Sequence, residues 1–144
     1  MRYTVLLLMF PVFLTISCED KGTNPIDQEY VIPESDISYY EDLQPMFNGK
    51  CGYGSRCHSA DNADNILFFT DKEIFMDYAV SRTGEKLVDL TLHKDNPRLA
   101  PLYLIVKEGY AGIERMPPIT LGREWLNKNQ IDGIEQWISE GAKD

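Results

Sequence analysis

The sequence predicts a small all-α domain made of short helices joined by long loops. Three observations carry that expectation: two N-terminal cap signatures, apolar residues at three- and four-residue steps near them, and few alternating strand-like runs. A chain of 144 residues has room for one such domain with a leader and a tether.

The leader comes first. Arg2 is followed by the apolar run Val5 to Phe10, and Pro11-Val-Phe-Leu-Thr-Ile extends it to Ser17. The run is shorter than the roughly 20 residues a helix needs to cross a bilayer. It has the size of a signal-peptide core, so residues 1–17 are expected to lie outside the fold. Leu14-Thr-Ile-Ser-Cys18 resembles the lipobox of bacterial lipoproteins, with Thr15 where that pattern prefers Leu. The resemblance implies an exported protein, periplasmic or at the outer membrane or cell surface, held to the membrane by lipid on Cys18. The alternative is ordinary signal cleavage near Ser17 with Cys18 unmodified.

From Glu19 to Asp36 the sequence is polar and rich in breakers, with Gly22, Asn24-Pro25, Pro33 and Ser35. Residues 18–36 are therefore expected to form a flexible tether, with a span of roughly 25 Å if it behaves as a coil. The domain is expected over residues 37–144.

Within it, Ile37, Tyr40, Leu43 and Phe47 fall at helical spacing. Pro45 makes this stretch either one kinked helix or two, the second opening at the proline. Thr70-Asp-Lys-Glu73 fits a capping box and predicts a helix to about Val80. Asp95-Asn96-Pro97 reads as a turn, and Pro101 as the first residue of a helix to Glu108 with Leu102, Ile105 and Val106 inward. Asn127 with Gln130 caps a last helix, whose Ile131, Ile134 and Ile138 share a face with Trp137 and whose stop is Gly141. Long loops bury little surface by themselves, so a central group is expected to organise them.

The residues that carry chemistry are Cys51-Gly-Tyr-Gly-Ser-Arg-Cys57-His58 and, far downstream, Met116-Pro117-Pro118. The usual c-type haem pattern joins two cysteines to the porphyrin and binds iron through the histidine that follows the second. Here five residues separate the cysteines where the common pattern has two, and Gly52 and Gly54 would let the extra residues bulge outward. A thioether is a good sixth ligand for haem iron, and His/Met ligation raises the reduction potential. The two prolines stiffen the loop that presents Met116.

From about Ile37 to Ala142 the chain resembles the small cytochrome c domains found in planctomycete and Bacteroidetes-type exported proteins. The matching landmarks, in order, are Leu43-Gln-Pro45-Met-Phe47, the cysteine–histidine cluster, Pro97 with Ala100 and Leu102, Met116–Pro118, and Trp137-Ile-Ser-Glu-Gly-Ala142. The resemblance implies a cytochrome c-like helical fold around one covalent haem c. It implies Cys51 and Cys57 as attachment points, His58 as proximal ligand and Met116 as distal ligand. Iron with both axial positions filled has no open site for substrate, so an electron carrier is implied rather than an enzyme.

Other readings of the same residues stay open. Cys51 and Cys57 could form a disulfide in an oxidising compartment and staple a haem-free interaction module. Cys51, Cys57, His58 and His93 are the right types for zinc. Displacement of Met116 would leave an open-iron haem enzyme or sensor. His93 is expected as an exposed loop residue, and it is the other histidine from which a bis-His haem could be built. Trp125 and Trp137 are expected to pack in the core or haem pocket.

No nucleophile constellation or phosphate-binding loop stands out. Loss of Arg2 with the leader would take the formal net charge from −9 to −10. Such a surface disfavours nucleic acid and favours a redox partner with a basic docking face.

Overall fold

A computed structural model of the chain describes residues 29–52, 58 and 66–144. Expectations that rest on the other residues, Cys18 and Cys57 included, lie outside the described residues. Among those described the regular elements are helical: α1 (Gln44–Lys50), α2 (Lys72–Asp77), α3 (Leu90–His93), α4 (Pro101–Lys107) and α5 (Lys128–Ser139). A π-helical turn, Tyr39–Leu43, precedes α1, and 3₁₀ turns occupy Pro97–Leu99 and Ile119–Leu121. Extended pairing among them is limited to two single bridges, Ala79 with Lys86 and Tyr110 with Ile113. The all-α expectation holds at this level.

The first helical stretch takes the second form expected from Pro45, with α1 opening one residue earlier at Gln44 and the piece before it wound as a π turn. Leu43 N–H donates to Ser38 O at 3.3 Å, five residues back, and Gln44 N–H reaches Tyr39 O. The wider π turn changes the phase of the buried face. Ile37, Leu43 and Phe47 are buried as their spacing predicts, but Tyr39 is buried in place of Tyr40, which stands 42 % exposed. Pro45 follows in the first turn of α1, where its missing N–H leaves no bond unmade.

The second cap lies one residue further along than the capping-box pattern implies. Asp71, not Thr70, is the N-cap; its Oδ1 accepts from Ile74 N–H at 2.9 Å, and α2 ends at Asp77 rather than near Val80. Beyond α2 the chain doubles back. Val80 N–H donates to Glu85 O at 2.8 Å, and Leu87 N–H donates to Tyr78 O at 2.9 Å. The single turn α3 carries no strong sequence signal. It is capped by Asp89, which accepts from the Thr91 backbone. Pro101 opens α4 as expected, with Leu102 and Val106 buried.

α5 is the framework. Asn127 and Gln130 form the reciprocal capping box, with both hydrogen bonds at 3.0 Å. At its far end Ala142 N–H bonds Trp137 O at 2.8 Å and Gly141 N–H bonds Ile138 O at 3.0 Å, with Gly141 at φ +92°. That is the Schellman stop, in which glycine takes the left-handed position at no steric cost. Helices of four to seven residues are marginal alone. They persist here by packing Leu43, Phe47, Phe75 and Tyr39 with Trp137, Ile134 and Ile138 in one core.

The expected tether boundary at residue 36 is corrected. Tyr30 and Ile32 are buried. Asn129 grips the Ile32 backbone twice, its Oδ1 accepting from Ile32 N–H and its Nδ2 donating to Ile32 O, both at 2.8 Å. Gln130 Nε2 donates to Tyr30 O at 3.0 Å. Gly133 makes room, since a Cβ there would stand 2.4 Å from Ile32 Cγ2. The breaker-rich composition reads as loose coil, but burial of Ile32 over Gly133 of α5 and of the Tyr30 ring over Gly49 of α1, with three side-chain hydrogen bonds, holds it.

Candidate functional site

α1 delivers Cys51 from its C-terminus. Cys51 is the C-cap, its N–H bonded to Phe47 O at 2.7 Å, and Gly52 N–H follows onto the same carbonyl at 2.9 Å. Gly52 does not take left-handed backbone; its use is room, because a Cβ would lie 3.0 Å from Asn48 O. The backbone returns at His58, whose N–H donates to Cys51 O at 3.0 Å. Cys51 and His58 are therefore joined directly through their backbones.

His58 stands against Phe69, and Phe69 is itself fixed. Its carbonyl accepts from the Tyr39 hydroxyl at 3.0 Å and from Gln44 Nε2 at 2.8 Å. Its ring stacks on Phe47 at 5.4 Å and meets Phe75 edge-on at 5.6 Å. Burial of Tyr39 holds its hydroxyl well above the usual phenol range, so that group stays a donor.

Met116 arrives from the other direction. Its N–H donates to Ile105 O on α4 at 3.0 Å. Arg115 Nε donates to Val106 O at 3.1 Å, and its guanidinium sits 4.1 Å above the Trp125 ring, a cation–π contact. Trp125, expected in the core or pocket, is instead 45 % exposed; Trp137 is the core tryptophan. The Met116–Pro117 peptide is cis.

These pieces meet at one cavity of about 390 Å³, which Cys51, His58 and Met116 all line. Its volume falls in the range of small-molecule and cofactor sites. The remaining wall is largely hydrocarbon, with Phe69, Val80, Leu87, Leu102, Ile105 and Val106 prominent. Ile105, expected inward, is half-buried because it borders this space. Sequence reasoning did not single out the walls from the 78–88 segment or Phe69, because they occupy short irregular stretches with no periodic signal.

His93 departs from its expected place. It is buried on α3, and its Nδ1 accepts from Asp89 N–H at 2.9 Å, completing that helix's own first turn. Burial holds it below the usual histidine range, partly opposed by Asp89 and Glu85. It does not line the cavity. Among the described residues no three His, Cys, Asp or Glu side chains gather as a metal-ligand cluster. Among them, too, no helix is long and apolar enough to cross a membrane. Compared with known protein families, characterised proteins and solved structures, the chain matches none.

Proposed function

We propose that this protein is a monohaem c-type cytochrome, an exported lipoprotein that carries single electrons between redox proteins at a membrane or cell surface. The observation that carries the proposal is the convergence of His58 and Met116, remote in sequence, on one apolar cavity with Cys51 at its wall. The donor set fits an iron porphyrin. An imidazole and a thioether are the axial pair of high-potential c-type haems, and His58 and Met116 are of those types. Cys51 and Cys57 are the attachment residues in this reading, and the bound haem supplies one-electron redox chemistry.

The chain's own residues do the rest. Phe69 backs the imidazole, the Ile105 carbonyl tethers the segment bearing the thioether, and a hydrocarbon wall surrounds the site. An apolar surround would disfavour the more highly charged oxidised state and so work with the thioether to raise the potential. In this reading His58 and Met116 would both hold the iron, and the group would serve electron transfer. A lipid on Cys18 would keep the domain at a membrane, and its acidic surface favours a partner with basic residues around its own docking face.

The test is the visible spectrum and intact mass of protein made in a host with haem-attachment machinery. A mass increment of one haem, with the weak far-red band of a thioether bonded to ferric iron, is expected. Colourless protein at the polypeptide mass would overturn the proposal. A high-spin spectrum that shifts with carbon monoxide would replace it with an open-iron sensor or enzyme. For the anchor, palmitate labelling is expected in the parent and absent from Cys18→Ala; labelling retained in that variant refutes the assignment.

A further inference from the structure

We propose that Tyr110 and Arg82 are positioning residues for Met116, clamping the turn ahead of it to the hairpin-like segment that also walls the cavity. The inference rests on the cytochrome reading. Tyr110 and Ile113 bond each other's backbones at 3.0 and 2.8 Å, and Ala111 and Gly112 between them take φ of +50° and +76°. Both central residues at positive φ is the tight hairpin arrangement. This turn hangs on the facing segment at two points. The Tyr110 hydroxyl donates to Glu85, and Arg82 Nη1 donates to Ala111 O at 3.3 Å. Gly112 is needed for the second, because a Cβ would stand 2.0 Å from Arg82 Nη1.

The partner segment is firm. Val80 N–H on Glu85 O at 2.8 Å and Gly84 N–H on Val80 O at 2.7 Å close it, and Val80 is fully buried while lining the cavity. One unit therefore contributes cavity wall and holds the turn whose exit segment runs through Ile113 to Met116. Beyond the turn, Met116 is held by its own N–H on Ile105 O and by Arg115 on Val106 O. Releasing the clamp frees the entry side of the loop and leaves those bonds, so it should loosen Met116 without emptying the cavity.

The experiment uses haem-loaded full-length protein and titrates imidazole, which can bind iron only when Met116 has left. Apparent affinity then reports the fraction of molecules with the loop open. Tyr110→Phe is expected to tighten apparent imidazole binding about threefold, and the Tyr110→Phe, Arg82→Gln double variant about tenfold, the scale of exposed polar contacts. Glu85→Gln keeps an oxygen for the Tyr110 hydroxyl and is expected to match the parent, whereas Glu85→Ala should behave like Tyr110→Phe. Denaturation midpoints are measured beside each titration. Lower stability with imidazole affinity unchanged means the contacts are merely structural, and overturns the proposal. A parent that shows the far-red band, with variants indistinguishable from it, overturns the clamp alone. A parent with haem but no such band removes Met116 as ligand and the clamp's purpose with it.

Discussion

The His58 ring meets the Phe69 ring edge-on, with centroids 6.0 Å apart and planes at 83°. Phe69 in turn is bonded through its carbonyl by Tyr39 and Gln44, from the π turn and the first residue of α1. The candidate proximal ligand is thus set against the central core.

That relationship makes Phe69 a stability residue as well as a wall. Phe69→Ala should cost about 3–5 kcal/mol, as expected for truncating a buried aromatic, and Phe69→Leu less than half as much. Urea denaturation of the two variants is the check. Equal, small losses would mean that the aromatic cluster is not what holds this wall.

Met116→Ala should leave the covalent haem mass unchanged, abolish the far-red band, admit carbon monoxide and lower the reduction potential, because loss of the thioether removes its preference for reduced iron. Spectroelectrochemical titration beside the parent decides it. An unchanged potential would take Met116 out of the iron's coordination.

The N-terminal segment should prove part of the fold. Gly133→Ala forces its Cβ against Ile32 and is expected to cost about 1–3 kcal/mol, while Ile32→Ala should cost about 2–5 kcal/mol. Hydrogen exchange at the Ile32 amide, bonded to Asn129, should quicken in both. Stabilities equal to the parent's would restore residue 36 as the domain boundary.

His93 should make stability depend on pH in the mildly acidic range. Its folded value is lowered, chiefly by burial, so the folded state favours the neutral ring. The contribution is therefore complete above the ordinary histidine value of 6.5 and is lost as pH falls below it. Denaturation midpoints from pH 8 to 5 should fall more steeply in the parent than in His93→Gln. Parallel curves would show that burial of His93 does not carry the effect.

Legibility in the sequence followed the range of the interactions. The α5 capping box, its Ile131–Ile134–Ile138 face, the Gly141 stop and the Pro101 start rest on contacts within a few residues, and spacing alone located them. The α2 cap was displaced by one residue because Thr70, Asp71 and Glu73 all suit such a role locally. Tyr39 and Tyr40 were exchanged because a 3.6-residue period cannot anticipate a π turn. His93 looked like a loop residue because its partner is the backbone of a helix only one turn long.

By itself the sequence determined which side chains with ligand chemistry exist, where α5 begins and ends and where α4 begins, since amides, prolines and glycines act on their immediate neighbours. Tertiary structure alone decided that His58 and Met116 share a cavity, that Glu85 meets Tyr110 and that Ile32 lies over Gly133. Those pairings join segments about 25 to 100 residues apart, and they form because burying apolar surface offsets the entropy of closing such loops. No local pattern of residues records that balance.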